Sequence, residues 1–451
     1  MIQPERIQAL NDRPERAGRY VLYWMQAAQR ARGNHALAHA VREADRRGLP
    51  VVAYFGLTES YPAANARHFA FLLAGLAETR RELADRGIRL VVRRESPQTG
   101  AVALAREAAL TVVDAGYLRH QRAWREAAAA RLECPFVQVE TDVVVPVTAA
   151  SPKEEFSAAT FRPKLHRALP RFLAPLEERA PRRSSLGLDL EGWEFADAAA
   201  ALAELAVDRS VGPIAGLSGG YSAARHRLEV FLGDRLADYP ERRNDPTADA
   251  LSGLSPYLHF GQIGPLEVAL AARATGLPAA DVFLEELVVR RELAVNYAWY
   301  NPAYDRYEGL PAWARASLAA HAGDRRATPY TVDELERAAT HDPYWNAAQT
   351  EMVRTGKMHG YMRMYWGKKI LEWSATPEAG FAAAVRLNDK YELDGRDANG
   401  YAGVAWCFGK HDRPWKERPV FGKIRCMVAG GLRRKFDADA YAVRWSPTTD
   451  Q

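Results

Sequence analysis

The spacing of apolar residues changes about halfway along the chain. In the first half, short runs rich in Val, Ile, Leu and aromatics at residues 20–24, 51–56, 88–93, 110–114 and 136–140 read as strands. Between them, residues 36–47, 64–85 and 100–109 carry apolar side chains at helical spacing. Strand alternating with helix predicts a parallel five-stranded sheet covered by helices. No GxGxxG turn follows the first strand, where YVLYWMQAAQRARGNHAL stands instead, so a standard dinucleotide turn is unsupported in this half. A polar, Pro-containing passage at residues 177–192, EERAPRRSSLGLDLEG, breaks the alternation and reads as an interdomain linker. From about Tyr221 strand signals nearly vanish and helical patterns run to the end. Thr331 before Val-Asp-Glu-Leu and Thr376 before Pro-Glu are helix-starting signals within it. The expected organisation is an α/β domain over residues 1–176, a linker over 177–210 and an all-α domain over 211–451.

Within the helical half, GYMRMYWGKKILEW at residues 360–373 has no Pro and one β-branched residue, and reads as a single helix. Arg363, Trp366, Ile370 and Trp373 share one face at a 3.6-residue period. The two tryptophans stand roughly 10 Å apart along the axis at about 1.5 Å per residue. A buried face bearing an arginine needs an anionic partner, because an unpaired buried charge is costly. On periodicity alone this is a core helix with one structural ion pair. Its neighbours change that reading.

Composition narrows the class. With 451 residues, 48% of them hydrophobic, the chain can build two or three domains with sizeable cores. The net charge is only +5, but residues 410–435 hold nine Lys or Arg against two acids, a basic surface that includes Arg413. A charge run is usually a solvated face, and a nucleic-acid reading needs further support. Cys134, Cys407 and Cys426 are scattered, with no CxxC pair, which excludes a disulfide framework and argues against zinc. The first residues lack the apolar core of a signal peptide, and no run of about 18 apolar residues occurs. The expectation is a soluble, cytoplasmic protein with no membrane segment and no metal.

Four stretches of the helical half carry candidate chemistry. After Tyr239 comes RRNDPTADALSGLSPYLHFGQI, in which Leu251, Ser252, Gly253, Leu254 and Ser255 form a short turn running into a helix. Hydroxyls and free N–H groups at a helix start suit an anion such as a pyrophosphate, although a simple N-cap is the commoner use. FLEELVVRRELAVN places Glu286, Arg290 and Leu293 on one helical face, and alone it reads as a surface ion pair at i,i+4. THDPYWNAAQTEMVRTGKMHGYMRMYWGKK sets Trp345 and Gln349 ahead of the Arg363 helix. LNDKYELDGRDANGYAGVAWCFGKHDRPW is dense in Asn, Asp, Gly and aromatics, as in a segment lining a polar pocket, though its Gly-Arg-Asp-Ala-Asn-Gly run also fits an ordinary turn.

Together these strings, with NDRPERAGRYVLYWMQAAQRARGNHAL near the start and TFRPKLHRALPRFL at residues 160–173, resemble the class II cyclobutane pyrimidine dimer photolyases of the photolyase/cryptochrome family. The resemblance runs almost end to end. It implies a Rossmann-like N-terminal α/β domain and an all-α C-terminal domain that holds a U-shaped FAD. By similarity, Tyr239 and the turn Leu251, Ser252, Gly253, Leu254 and Ser255 would hold the FAD phosphates and ribitol. Arg363 and Asp394 resemble the ion pair beside the isoalloxazine, and a cation there favours the reduced anionic flavin. Asn388 resembles the residue facing flavin N5. Trp366, Trp345 and Trp373 resemble an electron-hopping chain from flavin to surface, in that order.

The same likeness assigns a lesion pocket. Glu286 resembles the carboxyl that hydrogen-bonds the flipped-out thymines, Met364 and Trp406 resemble pocket walls, and Arg243 and Asn244 resemble polar groups at the lesion. Arg290 departs from the pattern, since some relatives carry a tryptophan there as a second wall. The implied reaction is light-driven electron donation from reduced FAD to the dimer, with the electron returned after the ring splits. The implied partner is UV-damaged DNA, bound by a monomer whose basic segment grips phosphates. A deazaflavin or folate antenna in the α/β domain is left open. The alternatives are a cryptochrome-like blue-light signalling protein or an enzyme for (6-4) photoproducts. Asn388, where plant-type receptors carry an acid, and the short stretch after Tyr441 weigh against signalling.

Overall fold

A computed structural model describes residues 2–446. The chain packs into two compact units. The first comprises Met1–Pro152, Pro163–Val230 and Gly253–Gly276; the second comprises Lys153–Arg162, Phe231–Ser252 and Leu277–Gln451.

The first unit is built on strands β1 (Ile7–Ala9), β2 (Tyr20–Trp24), β3 (Val51–Gly56), β4 (Arg89–Arg93), β5 (Ala108–Asp114) and β6 (Phe136–Val139). Their order across the sheet is β1-β6-β5-β2-β3-β4. The sheet therefore has six strands rather than five. The extra strand, β1, pairs antiparallel with β6 at the edge, while all other pairings are parallel. Three residues are too few to show a period, so no strand signal marks β1 in the sequence. Helices α1 (His35–Arg47), α2 (Ala66–Asp85), α3 (Pro97–Ala105) and α4 (Arg119–Ala129) cover the sheet. Every residue of β2, β3 and β5 is buried, as expected of a parallel sheet covered on both faces. Residues 108 and 109, expected in a helix, begin β5 instead.

The turn after β2 explains the missing glycine motif. Asp114, at the end of β5, accepts hydrogen bonds from the backbone N–H of Gln26 (2.8 Å) and Ala28 (2.9 Å) and from the Tyr23 hydroxyl (2.9 Å). The amides that would cradle a phosphate in a dinucleotide fold are thus turned onto a carboxylate of the chain itself. The polar passage after residue 177 runs as an ordered strap along the β4 edge. Ser185 Oγ donates to the Val51 carbonyl, Arg89 donates to the carbonyls of Leu188 and Leu190, and Trp193 N–H donates to Val92 O.

The second unit is helical. Its centre is formed by α5 (Arg291–Tyr300), α6 (Pro343–Thr355), α7 (Gly360–Trp373), α8 (Pro377–Tyr391) and α9 (Ala398–Cys407). α7 packs against α6, α8 and α9 together, so the helix singled out by its pattern is the core helix of this unit. Four of these helices start on a polar cap. Asp342 caps α6, His359 caps α7 through Nδ1, Thr376 caps α8 and Asp397 caps α9. No helix among the described residues is long and apolar enough to cross a membrane.

Candidate active site

α7 carries Arg363 into a cluster of buried charge. Its Nη2 lies 3.0 Å from Asp394 Oδ1 and 2.8 Å from Glu392 Oε2, and Lys357 Nζ pairs with Asp394 from the other side. Glu392 is fully buried, and its Oε1 accepts the Met358 N–H at 3.0 Å. Burial pushes the Glu392 carboxyl up to about 7, against the pull of Arg363. Burial works to lower Arg363 as well, but Asp394 and Glu392 outweigh it and hold the guanidinium above its usual value. Asp394 is the partner that the family resemblance names; Glu392 is one that it does not. Two cations at residues 357 and 363 call for two acids, and that balance is the signal in the sequence. Arg363 Nε is buried with no hydrogen-bond partner among the described residues. One turn earlier, His359 uses Nδ1 to accept the Tyr361 N–H at 3.1 Å, while its Nε2 is likewise buried and unpartnered. Burial, with help from Lys357, lowers the His359 pKa to about 4, so the ring is neutral and Nε2 carries the proton.

Asn388 is buried on α8, and its amide nitrogen donates to Asp389 Oδ1 at 3.0 Å. Asp389 also accepts the Arg396 N–H (2.8 Å) and the Tyr401 hydroxyl (3.0 Å). To deliver its N–H there, Arg396 takes a φ of 55°, a left-handed conformation that is costly for a side chain of this size. Gly400 stands where an added Cβ would come within 3.0 Å of the Asn388 amide nitrogen. The Gly-Arg-Asp-Ala-Asn-Gly run is therefore a strained turn at Arg396 that leads into the first residues of α9, wrapped around the Asn388–Asp389 pair.

The three tryptophans are consecutive in space. Trp366 and Trp345 lie parallel, with centroids 6.3 Å apart and planes 6° apart. Trp345 and Trp373 meet edge to face at 5.6 Å. All three are buried, and Trp373 in turn packs edge-on against Tyr330 at 5.2 Å and His341 at 5.5 Å. Trp366 Nε1 donates to Gln349 Oε1 (2.9 Å), and Trp345 Nε1 donates to the Trp366 carbonyl (3.0 Å).

A second group forms near Glu286. Residues Glu285–Arg290 wind as a π-helix, which shifts the register by one residue. The i,i+4 pair expected from the spacing is accordingly replaced. Glu286 pairs with Arg243 at 2.6 Å, and Arg290 pairs with Glu285 at 3.3 Å, which Arg162 also grips at 2.7 Å. Arg243 lies over the Tyr239 ring at 5.9 Å, and Tyr239 is wedged edge-on against Phe231 and Phe283. Burial and the nearby Glu286 push the Tyr239 phenol up to about 12. Asn244 and Arg290 are exposed.

The expected phosphate turn runs into a helix shorter than its signal implies. That helix, Ser255–His259, has five residues and no side-chain cap. Leu251 O accepts from Arg235 at 3.2 Å. Gly253 has a φ of 65°, and an added Cβ would lie 3.0 Å from Arg227 Nη1, a cation that no sequence motif singles out. Leu254 is buried, while Ser252 and Ser255 are partly exposed. Met364 sits half-buried on α7, and its carbonyl faces the Cys407 thiol at 3.7 Å. Trp406 is half-buried near the end of α9. Arg413 is exposed with its guanidinium 5.2 Å from the Trp415 ring, and most cations of the 410–435 segment are exposed too. Lys410 is the buried exception, paired with Glu154. Among the described residues, no group of three or more His, Cys, Asp or Glu is arranged to hold a metal ion.

The sequence and the fold both have known relatives. A family model described as DNA photolyase matches residues 21–182. A deoxyribodipyrimidine photo-lyase of Methanothermobacter thermautotrophicus is 50% identical, covering 98% of this chain and 98% of that protein. One from Oryza sativa is 43% identical over 97% of this chain and 89% of that protein. Among solved structures, a bacterial class III photolyase from Agrobacterium tumefaciens superposes with a TM-score of 0.74 at 19% identity, covering 96% of this chain and 87% of that one.

Proposed function

This chain belongs to the DNA photolyase family, and on that premise we propose that it is a class II enzyme that uses light to split cyclobutane pyrimidine dimers in DNA. One observation carries the reading: the likeness to photo-lyases runs the length of the chain, so it takes in the α/β unit as well as the helices bearing Arg363, Asn388 and the tryptophans.

The helical unit suits FAD on its own chemistry. Arg363 Nε and His359 Nε2 are buried N–H donors one turn apart with no partner among the described residues, and such groups cost about 1–3 kcal/mol each unless a ligand accepts from them. Arg363 with Asp394 and Asn388 would hold the ring system, and Tyr239 with Leu251 and Ser252 the phosphates and ribitol. When bound in its reduced form, FAD supplies one electron to the dimer under blue or near-UV light and recovers it after the ring has split.

The chain's own residues bind, orient and exclude water. Exposed cations of the 410–435 segment, Arg413 among them, neutralise phosphates and set the register of the duplex. The dimer leaves the stack, which costs least where the lesion has weakened pairing. Glu286 and Arg243 form a polar edge for the thymine carbonyls and N–H groups, with Asn244 beside them, while Met364 and Trp406 pack on the bases. Arg290 replaces a second aromatic wall with a cation. The buried stack Trp366, Trp345, Trp373 carries electrons inward when the flavin must be reduced. An antenna of deazaflavin or folate type would belong to the α/β unit, and the protein acts as a monomer.

The test is repair of a thymine-dimer oligonucleotide by the chemically reduced protein in light and in darkness. Light-dependent return of thymine absorbance, absent in the dark, is the expected result. A flavin-loaded protein that absorbs light and repairs nothing would point instead to a signalling flavoprotein.

A further inference from the structure

Lys368 follows Gly367 on α7 and is 0% exposed, yet no carboxylate among the described residues pairs with it. Its ammonium donates to the main-chain carbonyl of Cys407 at 2.7 Å and approaches that of Trp406 at 3.4 Å. The same nitrogen lies 4.8 Å from the centre of the Trp406 ring. A buried, uncompensated ammonium is expensive, and a methionine would fill the space without that cost. The adjacent Lys369 shows the ordinary arrangement, paired with Glu372 at 2.7 Å. What Lys368 gains is a threefold hold on one residue and its neighbour: two carbonyls at the negative end of α9, and the face of the indole. α7 and α9 are also locked at this point, since a Cβ on Gly367 would come within 2.6 Å of the Cys407 sulfur. Trp406 itself is partly exposed, and Arg425 approaches its ring to 6.0 Å.

We propose that Lys368 is a positioning residue for lesion recognition, fixing the Trp406 ring from its buried side so that the exposed side can stack on a flipped-out pyrimidine dimer. This rests on the reading of Trp406 as a wall of the dimer pocket. The hold needs the ammonium form. Burial lowers the Lys368 pKa to about 8, so the grip is complete well below that value and fades as pH rises through it. The titratable and charged groups that face Lys368 are Cys407, Cys426, Asp412 and Arg425. Cys407 is pushed up to about 11 by burial and does not titrate in the same range.

The experiment is binding in the dark, by the FAD-loaded full-length protein, of a duplex with one thymine dimer and of the same duplex undamaged. The ratio of the two affinities is read across the pH range around 8, in a Cys426→Ser background that removes the second thiol facing Lys368. The ratio should fall roughly tenfold in Lys368→Met at neutral pH, the scale of losing a desolvated cation–π contact. In the Lys368 protein the ratio should fall as pH rises, while Lys368→Arg, charged throughout, should hold it flat. A pH-independent ratio in the Lys368 protein, or full selectivity in Lys368→Met, overturns the proposal. If Lys368→Met fails to fold, the comparison of lysine with arginine across pH still decides. Trp406→Leu separates the two layers: selectivity lost there but kept in Lys368→Met sinks this inference alone, and selectivity kept in Trp406→Leu sinks the pocket reading as well.

Discussion

Trp345 lies parallel to Trp366 at 6.3 Å and donates its indole N–H to the main-chain carbonyl of that same residue. One residue thus fixes both the distance and the tilt of the other. Trp366 is held in turn by the Gln349 amide, also on α6. Both acceptors are neutral, and they stabilise an indole that has lost an electron by drawing on its N–H proton. The packing of α6 on α7 therefore sets the geometry of the tryptophan stack as well as the core of the unit.

On the proposed electron path, replacing the middle ring should interrupt transfer and leave cofactor binding intact. In Trp345→Phe, light-driven reduction of oxidised FAD should fall to a small fraction of the original rate. Repair by chemically reduced enzyme should be unaffected, because that step does not use the tryptophans. Transient absorption with an added reductant reads the first, and an oligonucleotide assay the second. Undiminished photoreduction would remove Trp345 from the chain.

The same ring depends on a helix cap. Asp342 Oδ1 accepts the N–H groups of Tyr344 (3.0 Å) and Trp345 (3.1 Å), and its other oxygen takes the buried Tyr365 hydroxyl. Asp342→Ala loses the cap, worth about 1–2 kcal/mol, and strands a buried hydroxyl at a further cost of roughly 1–3 kcal/mol. Urea unfolding should register a loss of about 2–5 kcal/mol, accompanied by slower photoreduction. A change within about 0.5 kcal/mol, the range of a plain surface substitution, would show that the cap contributes nothing to stability.

Much of this was legible in the sequence because the signals were local. The period of Gly360–Trp373 gave the helix at its observed bounds, and Thr331 and Thr376 announced their caps. What escaped were relationships between distant residues or departures from regular geometry. Glu392 looks like one more acid in a polar stretch until the fold buries it against Arg363. The expected Glu286–Arg290 pair does not form because a π-turn, which leaves no mark in a 3.6-residue pattern, moves each residue onto a different partner. Lys368 and Lys369 are indistinguishable by composition, yet one is buried against carbonyls and an indole and the other is paired with an acid.

The Glu286–Arg243 pair should matter to repair and little to folding. Both side chains are about one-third exposed, so solvent screening limits the pair to within about 1 kcal/mol of stability. Glu286→Ala should keep FAD bound and lower the repair yield markedly. Arg243→Ala should do the same, and the double variant should lose less than the two single losses combined, since each residue positions the other. Additive losses in that cycle would show that the two act separately, and unchanged repair in Glu286→Ala would take the carboxyl out of the pocket.

Glu392 ties the charge cluster to pH. Its folded pKa of about 7 stands above the 4.5 of an ordinary glutamate, so the folded protein holds this proton more tightly than the unfolded chain does. The resulting stabilisation is complete below the unfolded value and is lost as pH rises through the folded one. At most it amounts to roughly 3 kcal/mol, since each tenfold gain in proton affinity is worth about 1.4 kcal/mol. Glu392→Gln keeps the shape and removes the titration. The stability of the Glu392 protein relative to Glu392→Gln should therefore decline from about pH 5 to about pH 8 by up to that amount, when both are unfolded in urea with FAD present. A difference that stays constant with pH would mean that Arg363 and Lys357 keep Glu392 ionised throughout, leaving the cluster neutral and the guanidinium fully committed to its two carboxylates.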